Sequence, residues 1–176
     1  KGQDAMINEI NKSRKESIIT IEEPIEIIHK DEACIVWQRE IGRDANTFHE
    51  ALRAALREDP DVILVGELRD IETISMALTA AETGHLIFGT LHTSGAPNTI
   101  HRIIDVFPAA QQAQIRTQLS QSLKMVLSQT LFIKPDHSGR VAAFEVMINN
   151  AAIANLVREN KIEQITSVMQ TSNQEG

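Results

Sequence analysis

The segment Asp59–Asp70, DPDVILVGELRD, constrains the fold of this chain more than any other stretch. A proline-marked start leads into the apolar run Val62–Val65, which stops at Gly66 and the carboxylate of Glu67. A short apolar run bounded by turn residues reads as a buried strand of a parallel sheet. Ligand crevices of open parallel sheets lie at the carboxyl ends of the strands, so Glu67 is expected where chemistry is done. GHLIFGTLHTS at Gly84–Ser94 repeats the design, with a strand expected over Leu86–Leu91 and His92 at its exit. A second reading of these strand ends stays open. An acidic residue there can simply cap the next helix, as Asp70 can for Ile71–Ala81.

Around these strands the pattern alternates. A helix with an apolar face at Met6–Ile10 ends among Lys12–Lys15, and SIITIE at Ser17–Glu22 reads as a strand. Cys34–Glu40 is a second extended segment, with which Ile25–Ile28 is expected to pair as a hairpin arm. Thr47 starts a helix over Phe48–Glu58 that carries Arg53 and Arg57 on one face, and Gly84 stops a helix over Ile71–Glu82. Helices are expected at Ala96–Asp105 and Ala109–Lys124, then a hairpin of Val126–Ile133 with Arg140–Met147 turning through Pro135–Gly139. Helices at Ala151–Glu159 and Ile162–Gln170 follow, with a polar tail fraying from Thr171. Strand alternating with helix gives an α/β class with a largely parallel sheet.

Composition excludes several function classes. The net charge of -7 argues against a phosphate-backbone footprint, so no nucleic-acid partner is expected. The single cysteine, Cys34, leaves no disulfide framework and no four-cysteine zinc site, and suits a reducing cytoplasm. No apolar run approaches the ~20 residues that span a bilayer, so no direct membrane insertion is expected and a membrane role comes through partners.

The acidic cluster Glu22-Glu23-Pro24-Ile25-Glu26 stands at the exit of SIITIE and is expected on the same sheet edge as Glu67. Pro24 stops the strand from continuing. Carboxylates held close need a shared cation, for which magnesium, alone or with a nucleotide phosphate, is the natural guest. A solvated acidic turn is the other reading. Arg39, Arg43, Arg53, Arg57 and Arg69 flank the acids; each suits either a phosphate or a surface ion pair. His85 and His92, read on one strand, point to opposite faces and make a poor pair of metal ligands. His92 reads as a phosphate-sensing group and His85 as a strand-start residue reaching a neighbour.

These pieces, in this order, resemble the secretion ATPase superfamily of P-loop motors, and within it the PilT-type retraction branch. ITIEEPIE at Ile19–Glu26 is similar to its Asp box, DPDVILVGELRD to its Walker B segment, and TAAETGHLIFGTLHTSGA at Thr79–Ala96 to its His box. HRIIDVFP at His101–Pro108 continues the match, and AIANLVRE at Ala152–Glu159 is similar to its C-terminal helix motif. The resemblance implies a RecA-like P-loop NTPase core with its first strand and P-loop absent, over residues 1–148, and a C-terminal helical segment over 149–176. It implies that Glu67 activates the attacking water, that Glu26 acts through magnesium and water, and that Glu22 supports it. His92 would report on the γ-phosphate, His85 would join a subunit contact, and the arginines would face phosphate or an adjacent subunit.

The cofactors implied are ATP and Mg2+. The partners implied are five further copies in a homo-hexamer and an inner-membrane pilus platform protein, with the motor cytoplasmic and peripheral at that membrane. Three departures stand out. Glu23 replaces the Asp-box aspartate, Ala154 replaces the arginine of the C-terminal motif, and no G-x-x-x-x-G-K-[ST] occurs anywhere in the chain. The expectation is therefore a retraction motor subunit whose 176 residues alone hydrolyse no ATP. The alternative is a non-hydrolysing accessory paralogue.

Overall fold

Strands β1 (Ser17–Glu22), β2 (Ile35–Glu40), β3 (Val62–Val65) and β4 (Leu86–Gly89) form one parallel sheet in the order β2-β1-β3-β4. The computed structural model describes residues 2–172, in two compact units that divide between Leu91 and His92. The sheet belongs to the first, with helices α1 (Gly2–Ser13), α2 (Phe48–Arg57) and α3 (Ile71–Glu82).

Alternation along the strands sorts the core into two layers. Ile19, Ile21, Ile63 and Val65 pack against Ala51, Leu52 and Ala55 of α2 and Ala77 of α3. Ile18, Val62 and Leu64, one residue out of phase, pack against Ile7 of α1 and the thiol residue Cys34. With apolar residues on both faces, β3 is buried along its whole length, as a central parallel strand should be. Thr47 caps α2 by accepting the Glu50 N–H. Gly84, at φ +99°, supplies the left-handed backbone that ends α3.

Two expectations in this unit are corrected. Ile25–Ile28 is no hairpin arm: β2 pairs in parallel with β1, and the segment forms no strand. Its backbone is held instead by side chains of β2. Glu40 Oε1 accepts the Ile25 N–H at 2.9 Å, and Gln38 bonds Ile27 and His29. The last strand ends at Gly89 rather than Leu91, because the Thr90 carbonyl turns to accept the Leu68 N–H at 2.9 Å. His85 and His92 therefore both lie outside β4.

The crossover from β1 to β2 hangs on a residue of α1 that sequence pattern does not single out. Asn11 is 1 % exposed. Its side chain donates to the Lys30 carbonyl at 2.6 Å and accepts from the Glu32 N–H, while its own carbonyl accepts from Ala33 and Cys34. Backbone groups of the crossover are thereby satisfied without a ladder.

The second unit holds α4 (Ala96–Asp105), α5 (Ala109–Ser122), the antiparallel hairpin β5 (Met125–Ile133) with β6 (Arg140–Ile148), and α6 (Ala151–Arg158). The expected last helix begins as a 3-10 turn, Ile162–Gln164, and continues as α7 (Ile165–Thr171). The expected fraying of the tail falls mostly on residues 173–176, outside the described ones. Ile100, Ile115, Leu119, Met147, Ile153 and Ile165 are buried in this unit. Glu145 of β6 accepts the Ala96 N–H at the start of α4, and Asn150 caps α6. No described helix is long and apolar enough to cross a membrane.

Candidate active site

The carboxyl ends of β1 and β3 are neighbours in the sheet, with Ile21 beside Val65. The residues that leave them line one cleft: Glu22, Glu23, Pro24 and Glu26 after β1, Gly66 and Glu67 after β3. Asp4, from the first turn of α1, completes an acidic wall. The shared edge expected for the acidic cluster and Glu67 is thus the geometry of the first unit. The Glu23–Pro24 peptide is cis.

Gly66 is what lets the two strands meet there. Its N–H donates to the Ile21 carbonyl at 2.8 Å, and a Cβ built on it would lie 2.9 Å from that same oxygen and 3.4 Å from Glu22 Cα. A side chain at this position strikes backbone, so Glu67 is delivered to the cleft by a residue that must have none.

Each acid is held differently. Glu22 Oε2 accepts the Thr20 hydroxyl at 2.8 Å and the Gln38 carboxamide at 3.2 Å. Glu67 pairs with the Arg69 guanidinium, which also comes within 4.0 Å of Glu23. The hydrogen bond that Arg69 donates to Glu67, reinforced by the charges of Glu67 and Glu23, holds the Arg69 pKa above its ordinary value. Glu26 is exposed at the rim. A set of hard carboxylate oxygens fits a hydrated magnesium ion, which binds through one or two carboxylates and substrate phosphates.

Most of the remaining candidates of the first unit stand away from the cleft lining. Of the five arginines, Arg69 is the one that meets the cleft acids. Arg39 pairs with Glu58, and Arg43 with Asp44 at 3.0 Å and Glu40 at 3.8 Å, all on the surface. Arg53 and Arg57 are exposed on α2. His85 sits at the amino-terminal edge of the sheet, where its Nδ1 lies 2.6 Å from the Pro60 carbonyl; this is the edge opposite the cleft. His92 is exposed and opens the second unit.

Three residues that sequence pattern passed over also contribute. Gln38 and Glu40 tie down the acidic segment, and His29, its side chain 6 % exposed, lies 3.2 Å from Asp4 of the cleft wall. Thr20, Glu22, Gln38 and Glu40 share one sheet face by period two, a signal readable only once the strands are known to be adjacent and parallel. Away from the cleft, ligand atoms of His49, Asp70 and Glu72 lie within 4.8 Å of one another between α2 and α3. Asp70 there accepts the Thr73 hydroxyl and stands at the amino end of α3, where the helix dipole already favours its charge.

Comparison with known proteins identifies the family of the chain. Residues 4–137 match the family model described as "Type II/IV secretion system protein". The chain is 57 % identical over 98 % of its length to the "Type IV pilus retractation ATPase PilT" of Pseudomonas aeruginosa, covering 50 % of that protein. It is 56 % identical over 98 % of its length to the "Twitching motility protein" of Neisseria gonorrhoeae, covering 46 % of it. A crystal structure of the pilus retraction motor PilT with bound ADP superposes with a TM-score of 0.91 at 56 % identity, over 96 % of this chain and 49 % of that one. The chain spans about half the length of the curated relatives it matches.

Proposed function

The chain belongs to the type II/IV secretion system protein family, and from that premise we propose that it is the catalytic part of an ATP-hydrolysing motor subunit that drives pilus retraction. Its fold is a RecA-like α/β core with a parallel sheet, as the motifs led one to expect. The observation that carries the proposal is the convergence of Glu22, Glu23, Glu26 and Glu67 on one cleft at the carboxyl edge of that sheet.

Phosphoryl transfer needs positioning and charge stabilisation more than covalent chemistry from the protein. Glu67, fixed behind Gly66, orients the attacking water and takes its proton. Glu26 would hold a magnesium ion through water, with Glu22 and Glu23 beside it. Magnesium when bound neutralises phosphate charge. Arg69, the cation among these acids, turns from Glu67 to phosphate when nucleotide enters. His92 reports on the γ-phosphate, and His85, Arg39, Arg43, Arg53 and Arg57 serve contacts between subunits of a homo-hexamer. The motor works on the cytoplasmic side of the inner membrane, against a platform protein of the pilus machinery.

The test is ATP turnover of the protein at the full length of its relatives, beside Glu67→Gln. Losing the general base should lower kcat by about 10²- to 10⁴-fold. A full-length ring without turnover favours the accessory-subunit reading, which the Glu23 and Ala154 departures leave open.

A further inference from the structure

We propose that Gln38 is a positioning residue of the cleft, its single carboxamide fixing where both Glu22 and Glu26 stand. The inference rests on the ATPase reading above and assigns a role to a residue that lies outside the acidic cluster. Gln38 Oε1 accepts the His29 N–H at 2.9 Å, and its Nε2 donates to the Ile27 carbonyl at 2.7 Å and to Glu22 Oε2 at 3.2 Å. Only one orientation of the amide suits these partners. The reverse would set its oxygen against a carbonyl and a carboxylate, and its NH2 against an N–H. Polarity, and not shape alone, therefore specifies the residue.

The geometry gives this small group an outsized reach. The segment after Pro24 has no ladder of its own, so its backbone depends on side chains of β2. Glu40 takes the Ile25 N–H and Gln38 takes the Ile27 carbonyl, and Glu26 is the residue between the two latches. The same Nε2 joins the Thr20 hydroxyl on one oxygen of Glu22, holding that carboxylate from two sides. His29, latched through its N–H, in turn meets Asp4 of the cleft wall through its ring. One amide thus couples Glu22 and Glu26 of the β1 exit to the sheet. Mispositioning a catalytic group by about 1 Å can lower a rate by ~10²-fold without removing any group that touches substrate.

The experiment compares Gln38→Leu and Gln38→Glu with wild type, in the protein at the full length of its relatives. Three quantities are measured: ATP turnover, thermal midpoint, and amide exchange at His29. Gln38→Leu loses every bond. Its kcat should fall by about 10²-fold with KM for ATP moving less than about threefold, and the His29 N–H should exchange at least ~10-fold faster. Gln38→Glu keeps the acceptor for His29, so exchange there stays slow, yet it sets a carboxylate against Glu22 and the Ile27 carbonyl. Its kcat should fall as far as that of the leucine variant.

Wild-type turnover in both variants overturns the proposal. Turnover lost in Gln38→Leu but kept in Gln38→Glu also overturns it, since Gln38 would then be only a loop latch. Should the leucine variant fail to fold, the glutamate variant decides alone. A wild-type protein with no turnover fells the ATPase reading separately, and unchanged His29 exchange in Gln38→Leu then overturns the latch as well.

Discussion

Gly66 shows how a single residue decides what the cleft can be. A methyl group there would meet the Ile21 carbonyl at 2.9 Å, a backbone atom that yields only if β1 and β3 part. Gly66→Ala should therefore destabilise the fold by about 1–3 kcal/mol, an overpacking cost, and should displace Glu67. Chemical denaturation checks it; a midpoint equal to that of wild type would mean the close approach is absent. Glu67 and Glu22 were legible in the sequence because each stands at the end of a β-rich apolar run, Glu67 one glycine beyond it, and strand ends of a parallel sheet point to one edge. Gln38 and Asn11 were not. Their partners are backbone groups of the crossover between β1 and β2, and nothing in the local pattern of either residue announces which carbonyl or N–H will arrive beside it. The arginines are the opposite case: charge is visible in sequence but its partner is not, and Arg39 and Arg43 pair with carboxylates on the surface.

At the scale of elements, the sequence spoke most clearly where periodicity and caps agree. Thr47, Val62–Val65, Gly84 and the antiparallel hairpin stand as read. It misread segments whose backbone finds hydrogen bonds outside a strand ladder. Ile25–Ile28 looks extended and apolar, yet Gln38 and Glu40 satisfy its backbone in place of a neighbouring strand. Thr90 and Leu91 look like strand, yet Thr90 bonds Leu68 and, through its hydroxyl, Gln3. The turn of the β5–β6 hairpin permits a prediction with a definite sign. The Ser138 hydroxyl donates to Asp136 Oδ1 at 2.7 Å and its N–H at 3.0 Å, and together they hold the Asp136 carboxyl below its ordinary pKa. A depressed folded pKa means that the contribution of this turn is present above the unfolded value of about 3.9 and is lost as pH falls through the folded one. Ser138→Ala should raise the Asp136 midpoint in a carboxyl NMR titration; an unmoved midpoint would assign the shift to another cause.

For the molecule as a whole, the proposed reaction needs more than the cleft supplies. Four glutamates and Asp4 line it, within a chain whose net charge is -7. Such a surface repels a nucleoside triphosphate unless cations and oriented N–H groups draw the phosphates in. P-loop enzymes obtain these from a glycine-rich loop whose amides and lysine cradle the phosphates, and no G-x-x-x-x-G-K-[ST] occurs in these 176 residues. Arg69, one guanidinium beside Glu67 and Glu23, supplies neither the row of amides nor the lysine of such a loop. The 176 residues by themselves should then show no ATP turnover above buffer, and the protein at the full length of its relatives should show turnover that Glu67→Gln removes. Both are to be measured at the same active-site concentration and with magnesium in excess, so that a shortfall of cation is not mistaken for a missing cradle. Turnover by the purified 176 residues, abolished by Glu67→Gln, would mean that the acidic edge of this sheet recruits phosphate unaided, and the division of labour argued from its charge would be wrong.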